Sequence, residues 1–488
     1  MRKLFAVAAA FTLEAGLVAG LQQPSPPRPT PPSAPAVRGS THSPGGPASA
    51  PPLVALKAAR LFDGRSDRTI ENAVVIVEGT RIREVGTGLA IPPEATTLDL
   101  GDATLIAGFI DSHTHLTDEA SDNWLADFYE GLRRPVAEKA IIATGYARRI
   151  LEAGFTTVRD VGSTDSIDVG LRNAINRGLI VGPRMLVARD AIGATGGHCD
   201  QTGFPEGTFG QEPGTEKGII HGAAEARQAV RLDIKYGADV IKTCASGGVL
   251  SLGDDVGSPQ LSDEELTALV DEAHRLGKKT AAHAHGDLAA RAAVRAGIDS
   301  IEHGSFLTDE TLALMKSKGT YLVPTLLAGE WTGGKAEKFP PQIAVKARAA
   351  LAARSDMFKR ALKSGVRIAF GTDSGVSPHG INAQEFHLMV DLGMSPAAAL
   401  RSAGPAAADL LGLGDRIGTL EKGKEADIVA VPGDPLKDIR ATERVFFVMR
   451  GGRILRYSPR ETRGYSFSFR APNLRASPRP SRGGMPSG

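Results

Sequence analysis

Five of the eleven histidines fall in three short apolar runs: GFIDSHTHL carries His113 and His115, TAAHAHG carries His283 and His285, and SIEHGS carries His303. Imidazole and carboxylate groups suit Zn and comparable divalent ions, and a bound cation lowers the pKa of water enough to supply a nucleophile near neutral pH. Asp373 in AFGTDSG and Lys242 in DVIKTCASGGVLS stand in runs of the same kind. Lys242 is the most demanding of these groups. An ammonium inside a strand covered on both faces loses its water, so something must change its charge or meet it.

Taken alone, a buried histidine is more often a satisfied core residue than a ligand, and a buried lysine can snorkel to a rim. Six groups of metal-ligand type in strand-like runs reverse that balance. Residues i and i+2 of a strand share a face, so each His-x-His pair points one way. His42, His221, His274 and His387 take ordinary readings as linker, surface or packing residues, and His379 lies on a loop just after Asp373.

The elements that must position these residues alternate along the chain. Eight strand candidates are LIAGFIDSHTHL, FTTVRDVG, PRMLVARD, DVIKTCASGG, KKTAAHAHG, IDSIEHGS, TYLVPTL and RIAFGTDSG. Helical periodicity follows in VAEKAIIATGYARRILEAG, AAEARQAVRLDIKYG, SDEELTALVDEAHRLG and DLAARAAVRAG, with Ser262 and Glu265 spaced as a capping box. Strands each followed by a helix predict an α/β fold, a (β/α)8 TIM barrel over residues 108–414 with the functional groups at its C-terminal mouth. Short strands with glycine turns at both ends, such as VIVEGTRIREVG and VFFVMRGGRIL, predict a small β-sandwich domain built from residues 53–107 and 415–457.

Composition fits a soluble globular protein, with 42% hydrophobic and 23% charged residues, and a net charge of +2 gives no footprint for nucleic acid. The basic excess lies at the ends: net +3 over residues 1–52 and net +5 over residues 458–488, which leaves −6 for residues 53–457. Residues 1–20 place Arg2 and Lys3 before an apolar run, the layout of a signal peptide, with Glu14 as an irregularity; the run is too short for a stable membrane span. Export is therefore expected, to the periplasm or the medium, with a cytoplasmic location if the signal does not function. Residues 21–52 and 458–488 read as a Pro/Ser/Ala-rich linker and a basic tail without a core of their own. Cys199 and Cys244 are too few for a disulfide framework and read as free thiols.

Together GFIDSHTHL, DVIKTCASGG, AAHAHG, SIEHGS and GTDSG resemble the amidohydrolase superfamily in its binuclear form, across residues 53–457. SGGVLSLGDDVGSPQLSDEE and GATGGHCD are similar to the branch with Xaa-Pro dipeptidases, imidazolonepropionase-like hydrolases and ochratoxin-hydrolysing amidases. The resemblance implies that Lys242 is carbamylated by CO2 and bridges two divalent ions, with Zn the expected metal. It further implies that His113, His115 and Asp373 hold one ion and that His283 and His303 hold the other. A hydroxide shared by the ions would be the nucleophile, and Asp373 would take its proton and pass it to the leaving amine. His283 lies deeper along its strand than His285, so His283 is assigned to metal and His285 to the substrate carbonyl; alternation alone leaves the reverse assignment open. His198 is a candidate substrate contact, and Cys199 beside it stands where related sequences often have glycine.

The resulting expectation is a metal-dependent amidohydrolase cleaving dipeptides, N-acyl amino acids or ochratoxin-like conjugates, its partners a small-molecule amide or peptide and further copies in a homo-oligomer. Two alternatives carry different consequences: hydrolysis of a cyclic amide, lactone or phosphotriester, and a non-catalytic scaffold on the same fold.

Overall fold

The computed structural model describes residues 51–121 and 123–458. The expected signal peptide, the linker as far as residue 50 and the tail from residue 459 lie outside the described residues. The chain begins with five strands, β1 (Leu53–Phe62), β2 (Ile70–Glu78), β3 (Arg81–Thr87), β4 (Thr96–Asp99) and β5 (Ala103–Ala107), and then β6 (Phe109–Thr114). Helices α1 (Trp124–Arg133) and α2 (Val136–Glu152) precede β7 (Phe155–Asp160), α3 (Ile167–Asn176) and β8 (Arg184–Val187). A two-residue pair, β9 (Gly193–Ala194) and β10 (Ile219–Ile220), leads into α4 (Ala223–Lys235) and β11 (Val240–Cys244). Regular alternation follows: α5 (Asp263–Arg275), β12 (Lys279–Ala284), α6 (Asp287–Ala296), β13 (Ser300–His303), α7 (Asp309–Lys318), β14 (Tyr321–Val323), α8 (Leu326–Gly334) and α9 (Pro341–Ser364). After α10 (Gln384–Asp391), α11 (Pro396–Arg401) and α12 (Ala407–Leu410) come β15 (Ile428–Pro432), β16 (Phe447–Arg450) and β17 (Arg453–Tyr457).

Both ends of this path meet in one sheet, ordered β17-β16-β15-β5-β1-β2-β3 with β4 beside β1. Period-two alternation assigns its two faces. Leu105, Ile428, Ala430, Phe447 and Met449 turn to a cluster that the sheet encloses with Leu56, Val75 and Ile82. Ile106, Val429, Val431 and Val448, one register position away, pack instead with the helices of the central part.

Gly108 hands the chain from β5 to β6, because a Cβ there would lie 2.2 Å from the Thr156 hydroxyl. The expected strand LIAGFIDSHTHL is therefore split, its first half in the end-built sheet and its second in the central part. There β6, β7 and β8 pair in parallel, as do β11 to β14 in order. Parallel bridges join Ile192 to Thr243, Leu322 to Ile368 and Thr114 to Ser374. RIAFGTDSG forms only such single bridges, so the eighth expected strand is not a regular one.

The helices form where the periodicity placed them. In α5 the Ser262 hydroxyl accepts from the Glu265 amide at 3.3 Å and the Glu265 carboxylate accepts from the Ser262 amide at 2.8 Å, satisfying donors that the helix leaves free. Leu266, Leu269, Ala290, Val294 and Leu312 from α5, α6 and α7 cover Ile241, Ala282 and Ile301 of the strands. No helix among the described residues is long and apolar enough to cross a membrane.

Candidate metal centre

His113 and His115 at the end of β6, Lys242 in β11, His283 and His285 at the end of β12, His303 ending β13, and Asp373 line one cavity of about 300 Å³. Parallel pairing explains the convergence: strands running the same way bring their C-terminal ends to one side. His303 and Asp373 hold left-handed backbone, φ 69° and 57°, where a side chain is disfavoured and a strand must turn sharply. Their side chains thereby reach the others. Nε2 atoms of His113 and His115 each lie 3.3 Å from Asp373 Oδ1. Ligand-type atoms of His113, His303 and Asp373 fall within 4.8 Å of one another, and so do those of His283, His285 and His303.

The opposite ring nitrogens are occupied. His113 Nδ1 meets Glu302 at 2.7 Å, His115 Nδ1 meets the Gly162 carbonyl at 3.0 Å, and His303 Nδ1 meets the Thr325 hydroxyl at 2.7 Å. Such contacts fix the tautomer and aim Nε2 at a cation. At His285 the Nδ1 lies 2.8 Å from the Ser305 hydroxyl, which can donate to it and leave the ring proton on Nε2. His283 is reversed: its Nε2 lies 3.3 Å from the Gly247 carbonyl, so Nδ1 is its remaining donor atom. Both histidines of the HAH pair therefore face the cluster, by different nitrogens.

Burial sets the charges. It brings the Lys242 ammonium down to about 8, against the opposing pull of Glu302 and Asp373. Burial also holds His283 and His303 well below the usual imidazole range and takes His285 to about 3, so these rings are neutral, the form that ligates metal. Burial would raise Asp373, but its contacts with His113 and His115 outweigh it and keep the carboxyl well below its ordinary value. His115 is shifted upward, because Asp373 outweighs its burial. The neutral imidazoles of His283, His285 and His303, an ionised carboxylate and a lysine whose charge burial disfavours make a donor set that fits divalent ions.

His198 also lines this cavity, its ring stacked on His283 at 4.1 Å between centroids. Its Nδ1 meets the Ser251 hydroxyl at 2.9 Å, and Ser251 donates to Asp254, which pairs with Lys346 of α9 at 2.9 Å. Gly248 permits the approach, since a Cβ there would stand 2.1 Å from the ring. The SGGVLS segment thus packs directly on the GGHCD loop. Cys199 and Cys244 are disulfide-bonded, Cα atoms 5.9 Å apart, which corrects the free-thiol reading. Count and spacing could not reveal the pair, because only the fold brings positions 45 residues apart together.

Other residues were not visible in the motifs as participants. Glu302, fully buried in β13, accepts from Arg159 at 2.8 Å and Ser300 at 2.5 Å besides meeting His113. A charged residue between Ile301 and His303 was the available signal. Asp111 accepts from Thr372 at 2.6 Å and Asn382 at 2.8 Å, tying the Asp373 segment to β6. His379 hydrogen-bonds Ser374 and the Asp118 carbonyl and braces that same segment. His221, His274 and His387 pair with Glu225, Asp299 and Glu443, away from the cavity.

Residues 104–455 match the family model "Amidohydrolase family". Over 410 residues the chain is 33% identical to ochratoxinase of Aspergillus niger, across 79% of this chain and 83% of that one. It is 26% identical over 410 residues to imidazolonepropionase of Cutibacterium acnes, across 79% of this chain and 91% of that one. A crystal structure of a Xaa-Pro dipeptidase with bound methionine in the active site aligns with a TM-score of 0.78 at 37% identity, covering 83% of this chain and 100% of that one. The chain belongs to the amidohydrolase family and is a hydrolase acting on amide bonds.

Proposed function

We propose that the protein is a binuclear metal-dependent amidohydrolase that cleaves an amide bond next to a terminal carboxylate, as in a dipeptide, an N-acyl amino acid or an ochratoxin-like conjugate. The observation that carries this reading is the gathering of His113, His115, Lys242, His283, His303 and Asp373 in one cavity with Lys242 brought down to about 8. The similarity to ochratoxinase and to a Xaa-Pro dipeptidase supports the substrate class. We read the parallel pairs and single bridges as closing a (β/α)8 barrel, with the end-built sheet folded over itself as the β-sandwich.

His113, His115 and Asp373 would hold one ion and His283 and His303 the other, with Zn the favoured metal. Lys242 as a carbamate would bridge them, and its burial favours the neutral amine that reacts with CO2. When bound, the ions supply Lewis acidity and lower the pKa of water. Asp373 Oδ1 receives a proton during attack on the amide and delivers it to the departing nitrogen. His285, held by Ser305, donates to the scissile carbonyl oxygen, and His198 contacts the substrate body. The Cys199–Cys244 disulfide supports the expectation of export, since such bonds persist in oxidising compartments.

Two measurements test the reading. Metal-replete protein is expected to hydrolyse members of an N-acyl-amino-acid, dipeptide and ochratoxin panel faster than cyclic amides, lactones or phosphotriesters; the opposite preference overturns the substrate class. Lys242→Ala is expected to lose bound metal and at least about a hundredfold in kcat/KM. If metal content and hydrolysis both survive that substitution, the bridging role is wrong.

A further inference from the structure

A cavity that accepts a substrate with a terminal acid needs a partner for that charge apart from the metal-ligand cluster. Among the described residues, the Lys and Arg side chains lining this one are Lys242 and Arg354, and Lys242 belongs to the cluster. Arg354 projects from α9 and is only 9% exposed. One terminal nitrogen donates to the Leu326 carbonyl and the other to the Glu330 carboxylate. Its Nε–H, also buried, has no partner among the described residues. A guanidinium stays charged and offers five N–H donors in a planar fork, so this one retains unused capacity where desolvation makes unused capacity costly.

Its compensation is also incomplete. Glu330 is half in solvent, with a side chain 53% exposed, and a partner of that kind contributes little. Buried Glu385, which accepts from the Leu326 and Leu327 amides, is pushed up to about 8 by burial and is largely neutral. Gly329 of α8 lines the cavity beside Arg354 and adds no side chain there; a Cβ would sit 3.1 Å from Arg354 Cδ and 3.5 Å from Nη1. Val249, Leu250, Ala328 and Ala350 give the same cavity an apolar lining. An apolar body ending in an anion matches a wall of that composition.

From this geometry we infer that Arg354 is the specificity residue that binds the substrate's terminal carboxylate through its guanidinium fork. The inference rests on the function proposed above, and it places the acid end of the substrate against the α8–α9 side of the cavity. Arg354 acts by position: it holds the acid while the amide one or two bonds away meets His285 and Asp373.

The test uses the metal-replete enzyme with N-acetyl-L-phenylalanine and N-acetyl-L-phenylalaninamide, measuring both hydrolysis of the acetyl amide bond and calorimetric affinity. Wild type is expected to favour the acid. In Arg354→Met the acid-to-amide ratio of affinities falls by about tenfold to a hundredfold, the worth of hydrogen bonds to a charged group. Arg354→Lys keeps the charge without the fork and falls between the two, which serves if the methionine variant does not fold. A wild type that does not discriminate, or a ratio unchanged in both variants, overturns the assignment; a purely structural arginine would weaken both ligands together. If wild type cleaves no substrate of the proposed class yet its acid-selective binding disappears in Arg354→Met, the carboxylate site stands and the proposed reaction falls.

Discussion

Glu302 is a carboxylate with no exposed surface, wedged between Arg159, Ser300 and the outer nitrogen of His113. Burial raises its pKa, but the Arg159 charge and the hydrogen bond from His113 overcome this and leave it at about 2, so it remains an anion. That charge strengthens the bond to His113 Nδ1–H and so keeps Nε2 directed at Asp373. Glu302→Gln preserves shape and removes the charge. It is expected to weaken metal retention during dialysis against chelator by about ten- to a hundredfold, and to lower Tm because Arg159 loses its buried counter-ion. Unchanged metal affinity would remove the orienting role. Lys242 and Glu302 show what a sequence discloses at this scale. Both are charges inside apolar strands, and the anomaly is readable in each; the partner that resolves it is not. Glu302 is satisfied by Arg159, 143 positions away, through a contact only the fold creates. Arg354 is less legible still, since a 24-residue helix with several cations gives no sign of which one turns into a cavity.

At the scale of elements, local chemistry was legible and long-range closure was not. The Ser262–Glu265 box lies within four residues and formed as its spacing required. The segment RIAFGTDSG has the same apolar character as its neighbours, yet it forms only single bridges at Ile368 and Ser374 and ends in sharp turns at Asp373 and at Gly375, φ 119°. The disulfide between Cys199 and Cys244 belongs here as well, because it fastens the loop bearing His198 to the strand bearing Lys242. Closing a loop of 45 residues restricts the unfolded chain, and the chain-entropy relation puts this at about 4 kcal/mol. The double variant Cys199→Ser, Cys244→Ser is expected to unfold at lower temperature than the oxidised protein. Reductant is expected to lower the Tm of the wild type toward that of the variant and to leave the variant unmoved. Equal Tm values in all four conditions would mean that the bond adds nothing to stability.

For the molecule as a whole, the question is how a sheet assembled from both ends is fixed to the part that carries the cavity. Apolar contact supplies most of it, through Ile106, Val429, Val431 and Val448. Three arginines add direction. Arg450 donates to the Gly182 carbonyl, Arg456 to the Glu152 carbonyl, and Arg184, beside β7, pairs with Asp427 at 2.7 Å and with Glu425. Asp427 is almost fully buried and also accepts from the Gly451 amide at 2.7 Å, and Arg184 is the cation it pairs with directly. Removing one partner of a buried pair strands the other charge, at a cost of about 3–5 kcal/mol. Arg184→Met keeps the apolar stem and removes the charge, and is expected to lower Tm by several degrees, roughly what such a loss gives in a domain of this size. Salt distinguishes this from a surface effect. Screening acts on exposed pairs such as Lys57–Asp99, whose side chains are 45% and 62% exposed, and hardly reaches a pair at 14% and 4%. The Tm difference between Arg184→Met and wild type should therefore persist from 0.1 to 1 M NaCl, roughly a threefold fall in Debye length, whereas any difference produced by Lys57→Met should vanish. A deficit that disappears in salt would show that Arg184 acts through the surface field, and the attachment of the sheet would then rest on its apolar face alone.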